Sequence, residues 1–206
     1  NTVRSGVTYL ETDEGAIPLA IFGKHNLSNL SGAKWLCQLI GIDADDFYQA
    51  ISSFKGASKR LERLAIGKSS CLFKDFAHAP SKVKATTQAV KEQFPDFKLV
   101  ACLELHTYSS LDPSFLAHYQ NSMEKADLPI VFYDPEALKI KNRTPIQSQE
   151  IIDALGHPEL MVFSDPQLLK VFLMEQNYHD SVLLMMSSGN YGGLDWEALK
   201  VKVAQF

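Results

Sequence analysis

From Cys71 onward the chain alternates short apolar runs with stretches of helical periodicity, and this alternation constrains the fold more than any other feature. The runs are Cys71 to Phe76, Lys98 to Glu104, Ile130 to Tyr133, Leu160 to Phe163 and Ser181 to Met186. Several are continuous in Val, Leu, Ile, Phe and Met, the pattern of strands covered by helices on both faces. They predict five strands of a buried, mostly parallel sheet. Asp112-Pro113 and Asp165-Pro166 each place an N-cap acceptor and a first-turn proline ahead of apolar residues at helical spacing. Those residues are Phe115, Leu116, Tyr119 and Met123 in one helix, and Leu168, Leu169, Phe172 and Leu173 in the other. Pro80-Ser81 opens a third, with Val83, Thr87, Val90 and Phe94 on one face, and a fourth from Gln147 to Leu155 is expected to stop at Gly156.

The first third reads differently. Gly6 to Phe22 predicts two short strands around a turn at Asp13-Glu14-Gly15, followed by helices over Leu27 to Ile40 and Asp43 to Phe54. Lys55 to Ser70 is polar, basic and rich in Gly and Ser, so a boundary is expected near Ser69 and Ser70, dividing residues 1–69 from 70–206. The 206 residues are 46% hydrophobic, enough for one sizeable domain and an appendage. Twenty basic against 24 acidic residues leave a net charge of −4, which excludes nucleic acid or an anionic membrane surface as the principal partner. No apolar run approaches the roughly 20 residues that span a bilayer, so no membrane insertion is expected. The chain opens on Asn1 without a signal-peptide pattern, and is expected to be processed or cut from a longer protein. Cys37, Cys71 and Cys102 are far apart in apolar stretches and predict buried thiols in a reducing cytosol. Without a close Cys or His pair, no metal ligands are expected.

Ligands of an open parallel sheet bind beyond the carboxyl ends of its strands. The polar residues gather there: Asp75 with His78, and Glu104 with His106, as acid, base or hydrogen-bonding groups. Asp134 and Asp165 read as helix caps. Gly189-Asn190-Tyr191-Gly192-Gly193 either cradles an anion through its N–H groups or makes a tight turn. In the first third, Gly23 to Asn29 puts Asn26 and Asn29 on one side of a first helical turn, unless Asn26 or Ser28 serves only as the cap. Gly56 to Arg63 is a basic loop suited to gripping phosphate, or else a solvated surface loop.

Four motifs, in this order, carry a resemblance: G-x-H-N-x-x-N at Gly23 to Asn29, F-x-G-x-x-[KR]-R-x-E at Phe54 to Glu62, D-F-A-H-x-P at Asp75 to Pro80, and S-x-G-x-[FY]-G-G at Ser187 to Gly193. The ordered set resembles the carboxy-terminal part of the Mur ligases, the ATP-dependent enzymes that build the peptide of bacterial cell-wall precursors. Within the family the motifs look most like the murein tripeptide recycling ligase, with the L-alanine-adding ligase next.

The resemblance implies a Rossmann-like, mostly parallel sheet flanked by helices over 70–206, preceded by a partial α/β segment of the central ATPase domain over 1–69. It implies that His25, Asn26, Asn29, Arg60 and Asp75 lie on the nucleotide side, and that His78 and His106 face the incoming amine. The cofactors implied for an intact enzyme are ATP and Mg2+. The implied substrates are UDP-N-acetylmuramate and an amino acid or tripeptide, joined through an acyl phosphate in the cytoplasm. The chain departs from the family in carrying Ala79 where a second histidine is usual, and no arginine between Arg63 and Arg143. An arginine after the second sheet strand would hold a substrate carboxylate; His106, Arg143 or a lysine of the loop Lys139 to Thr144 is expected to replace it. The family's phosphate-binding loop, Gly-rich and ending Gly-Lys-Thr or Gly-Lys-Ser, is also missing: the Gly-Lys pairs at Gly23-Lys24 and Gly67-Lys68 lack the upstream glycine at its spacing, so a fragment that turns over nothing alone is expected. The competing expectation is a non-catalytic α/β nucleotide-binding or regulatory module with the same fold.

Overall fold

A computed structural model describes every residue except Ser5, Glu14 and Arg143. The turn expected at Glu14 and the cation expected at Arg143 therefore lie outside the described residues.

The predicted sheet is present and gains one strand. β4 (Glu62–Ile66), β5 (Ser70–Asp75), β6 (Lys98–Leu105), β7 (Leu128–Tyr133), β8 (Met161–Phe163) and β9 (Ser181–Met186) lie in the order β4-β5-β9-β6-β7-β8. All neighbours are parallel except β4, which runs antiparallel to β5 along the edge. β4 occupies the segment read as a polar loop; its few apolar residues, Leu64, Ala65 and Ile66, are interrupted by a register shift between Arg63 and Ala65.

Helices cover both faces, which explains the unbroken apolar runs. α3 (Pro80–Gln93), α4 (Pro113–Leu116), α5 (Pro135–Ile140) and α6 (Ser148–Leu155) pack on one face, where Val83, Val90, Leu116, Ile151 and Leu155 meet Phe73, Leu103 and Leu184. α7 (Pro166–Glu175) and α8 (Trp196–Ala204) cover the other, where Leu169, Leu173, Leu199 and Val203 meet Leu72, Cys102 and Met185. Asp134 and Asp165 cap α5 and α7 as expected, and Gly156 ends α6 at a left-handed φ of 66°. The helix expected to run from Pro113 to Met123 is shorter. It tightens into a 3-10 turn over Ala117–Tyr119, and then Asn121 turns left-handed (φ 57°) and donates its amide to the Leu155 carbonyl.

Ahead of the sheet lie β1 (Thr2–Arg4), β2 (Val7–Thr12) and β3 (Gly15–Leu19), an antiparallel three-stranded sheet, then α1 (Lys24–Leu39) and α2 (Ala44–Ser52). Leu19, Ile21, Leu30 and Phe47 form their small core. This unit is joined to the larger sheet by Phe22, whose ring meets Phe73 edge-on at 5.3 Å and Phe94 at 6.0 Å. A buried hydrogen bond from Thr8 Oγ1 to Gln93 Oε1 (2.8 Å) reinforces the joint.

Candidate active site

Two clusters form at the carboxyl ends of the strands. β9 lies between β5 and β6, yet α8 leaves β9 on the face opposite to α3 and α4, which follow β5 and β6. This is a topological switch point, where the loops diverge and leave a crevice.

Ser187, the first residue after β9, stitches the crevice together. Its amide donates to the Asp75 carbonyl (3.0 Å), and its hydroxyl donates to Glu104 Oε2. Glu104, only 2% exposed, also accepts from the Tyr191 amide at 3.1 Å. The Gly189 amide donates to Ser187 Oγ at 2.6 Å. The glycine loop is thus a turn, closed by the Gly193 amide on the Asn190 carbonyl, and a single amide of it, that of Tyr191, holds the chain's own Glu104 carboxyl. Gly189 fits because any Cβ there would stand 2.7 Å from Glu104 Oε2. Tyr191 donates its hydroxyl to the Cys102 carbonyl (2.9 Å), and burial pushes its phenol well above the usual range.

His106 lies over Glu104, with Nδ1 3.8 Å from Oε1. Lys141, just past α5, donates from Nζ to the His106 carbonyl at 2.8 Å. His78 follows β5; its Nδ1 is 2.8 Å from the Phe76 carbonyl, and its ring stands edge-on to Phe76. The His78 carbonyl accepts from Tyr119 (2.5 Å), whose phenol is pushed up to about 12 by burial, a shift that a hydrogen bond with Ser110 partly offsets. Among the described residues no hydrogen bond, ion pair or ring contact joins His78 to His106. They follow strands separated by β9, roughly 10 Å apart across the sheet.

The five residues expected on the nucleotide side converge at the joint between the two sheets. Asn26, Asn29 and Arg60 line a cavity of about 440 Å³ whose walls include Ile21, Leu30 and Phe54. Asn29 and Arg60 also line an adjoining cavity of about 200 Å³, with His25, Asp75, Lys82 and Thr86. Asn26 is not a cap: Gly23 occupies the cap position and Asn26 Nδ2 donates to the Phe22 carbonyl (2.9 Å). Gly23 is required there, because φ is 87° and a Cβ would stand 2.9 Å from Ala89 Cβ. Asp75 is 7% exposed and accepts from the Leu61 amide at Oδ2 and the Ala77 amide at Oδ1, both at 2.7 Å. It therefore fixes the backbone next to Arg60. Lys82 and Thr86 were not singled out in the sequence; their i, i+4 spacing on α3 was the available signal.

An apolar slot with amide side chains beside a smaller chamber with an arginine and a lysine fits a nucleotide, base in the first and phosphates in the second. Among the described residues no group of three or more His, Cys, Asp or Glu gathers to hold a metal ion. Burial raises the thiols of Cys71 and Cys102, which disfavours thiolate chemistry, while Cys37 is only partly buried. No helix is long and apolar enough to cross a membrane among the described residues.

No protein-family model matches the chain. In sequence it is 28% identical over 186 residues to a UDP-N-acetylmuramate–L-alanine ligase of Agathobacter rectalis, covering 89% of this chain and 40% of that protein. The enzyme of the same name from Synechocystis sp. is 30% identical over 181 residues, covering 85% and 35%. The chain thus spans about two-fifths of the length of the relatives it matches. In fold it is similar to the UDP-N-acetylmuramate-alanine ligase of Thermotoga maritima, with a TM-score of 0.66 at 19% identity over 92% of this chain and 39% of that one. The MurF ligase of Thermotoga maritima in complex with ADP also gives 0.66, at 16% identity over 98% and 44%. Sequence similarity along most of the chain, together with the shared fold, supports the Mur ligase family.

Proposed function

We propose that this chain is the nucleotide-closing and amine-presenting part of an ATP-dependent Mur ligase, with the residues ahead of β4 belonging to its central domain and those from β4 onward forming its third, since β4 pairs with β5 in the larger sheet and moves the boundary expected at 69/70 forward. The reaction joins an amino acid or murein tripeptide to UDP-N-acetylmuramate in the cytoplasm, as a step of peptidoglycan synthesis or recycling. The observation that carries the reading is the convergence of Asn26, Asn29 and Arg60 on two adjoining cavities at the joint. ATP, when bound, supplies the phosphoryl group that makes a carboxylate electrophilic. Asn26 and Asn29 hold the base, Arg60 and Lys82 offset phosphate charge, and Asp75 keeps Arg60 in position through the Leu61 amide. His78 and His106 face the amine, and closure of the two parts over the nucleotide excludes water.

The relatives' names favour L-alanine as the amine, while the Asp75 to Pro80 and Ser187 to Gly193 motifs favour the tripeptide. Joining this chain to the first three-fifths of the Agathobacter rectalis ligase provides the test. Phosphate release that depends on both UDP-N-acetylmuramate and one of the two amines is expected, and the preferred amine identifies the substrate. The chain alone is expected to release none. Nucleotide binding by a folded hybrid that ligates neither amine would instead favour the non-catalytic module, a reading motivated by the missing arginine.

A further inference from the structure

We infer that Gln93, the last residue of α3, is a positioning residue for the nucleotide site: it fixes the angle of the leading unit on the larger sheet and so keeps Asn26 and Asn29 of α1 facing Arg60, Lys82 and Thr86. The inference rests on the functional reading above and adds to it a residue that lines neither of the two nucleotide cavities.

Connectivity comes first. The unit from β1 to α2 has one covalent link to the larger sheet, the segment between α2 and β4. That segment holds no helix or strand and carries three left-handed residues, Gly56 (φ 96°), Lys59 (φ 58°) and Leu61 (φ 44°). The angle of the unit is therefore set by contacts across the joint. The contact of Phe22 with Phe73 and Phe94 is apolar, which holds the two parts together without selecting an angle.

Gln93 supplies the directional contact. It is 4% exposed and uses both ends of its amide: Oε1 accepts from Thr8 Oγ1 at 2.8 Å, and Nε2 donates to the Gly6 carbonyl at 2.7 Å. Thr8, on β2, is buried as well. Gly6 lies just ahead of β2 at φ 73°, where a Cβ would stand 3.3 Å from the Phe94 ring, so this turn seats directly on the end of α3. Rotating the leading unit would break both bonds and strand buried polar groups without partners.

The third observation is what α3 carries along its length. Gln93 holds the last turn, Gly23 packs on Ala89 one turn earlier, and Lys82 and Thr86 line the smaller cavity with Asn29 and Arg60. Thr86 and Gln93 are roughly 10 Å apart along one helix. Arg60 is held to the larger sheet by its neighbour Leu61, whose amide donates to Asp75. A change of angle at Gln93 thus carries Asn26 and Asn29 away from Arg60, Lys82 and Thr86 together.

The test uses this chain, an ADP titration followed on backbone amides by NMR, and residual dipolar couplings in α1 and β6 that report the angle between the two parts. Thr8→Val/Gln93→Met keeps the packed volume and removes both buried polar side chains, while the Gly6 carbonyl is only partly buried and turns to water. The double variant should bind ADP about tenfold more weakly, as expected if the site is assembled a tenth of the time. Its α1 couplings should be averaged relative to those of β6, with hydrogen exchange inside β6 unchanged. Thr8→Val alone should weaken ADP about threefold, and decides the matter if the double variant does not fold. Thr8→Ser should bind as wild type. Leu103→Ala, which loosens the core of β6 instead, should also keep wild-type affinity. Unchanged ADP affinity in the double variant, or in Thr8→Val where only that variant folds, overturns this inference and leaves the functional reading standing. A loss of affinity with an unchanged angle, or an equal loss in Leu103→Ala, overturns it too. If ADP shifts no amide of the wild type, the functional reading fails and the inference fails with it.

Discussion

Helices α1 and α3 are similar in length but bury very different amounts of themselves. Of the 14 residues of α3, six are buried, Val83, Thr86, Thr87, Ala89, Val90 and Gln93, because the helix lies across a six-stranded sheet. Of the 16 residues of α1, only Leu30 is buried, while Trp35 and Leu39 are 70% and 81% exposed. The larger sheet therefore has a core on both faces, whereas the leading unit rests on a few side chains and on its joint with the rest. The candidate nucleotide residues sit at the anchored end of α1, beside Phe22 and Gly23. Its far end is apolar and uncovered among the described residues. The anchoring of α1 and the candidate site thus share one end of the helix.

Four substitutions can break or sharpen this contrast, taken from the largest expected effect to the smallest. Leu103→Ala removes a fully buried side chain from the middle of β6 and should cost about 3 kcal/mol in urea unfolding. Gly23→Ala forces a Cβ against Ala89 at a left-handed position and should cost about 2 kcal/mol. Its hydrogen-exchange signature should be faster exchange in α1 than in β6; uniform loosening would mean that the two parts unfold as one.

Asp127→Asn should cost about 0.5 kcal/mol at neutral pH. Partial burial opposes ionisation of this carboxylate, but the Leu99 amide at 2.7 Å and Lys91 at 2.9 Å outweigh it and hold the group below its ordinary range. Because the folded value is the lower one, the stabilisation is present above the ordinary carboxylate range and disappears as pH falls through the folded value. The difference between Asp127→Asn and wild type should vanish in strong acid. Leu39→Ser, on the uncovered face, should change stability by less than about 0.5 kcal/mol. A loss above about 2 kcal/mol would show that the far end of α1 is covered in solution.

The sheet was legible in the sequence because its apolar runs are nearly unbroken, as burial of β5, β6, β7 and β9 between two layers of helices requires, although β8 at the edge is only half-buried. β4 was not, since an edge strand with one apolar stretch and a register shift carries almost no periodicity. The break after Tyr119 depends on a bond from Asn121 to Leu155, more than 30 residues away, which no local pattern encodes. The same holds at the site. The glycine loop offered an anion cradle or a turn, and only the fold brings Glu104 under it from 83 residues away. Asn26, Asn29 and Arg60 were readable as motif positions, but the cavity they share depends on how α1 meets the basic loop.

The central claim is that this joint holds a nucleotide. Titrating the chain with ADP while following backbone amides by NMR tests it most directly. The account predicts saturable shifts at Asn26, Asn29, Arg60 and Leu61, and their loss in Arg60→Ala with the fold intact. Absence of any shift, or shifts confined to Ser187 to Gly193, would contradict it.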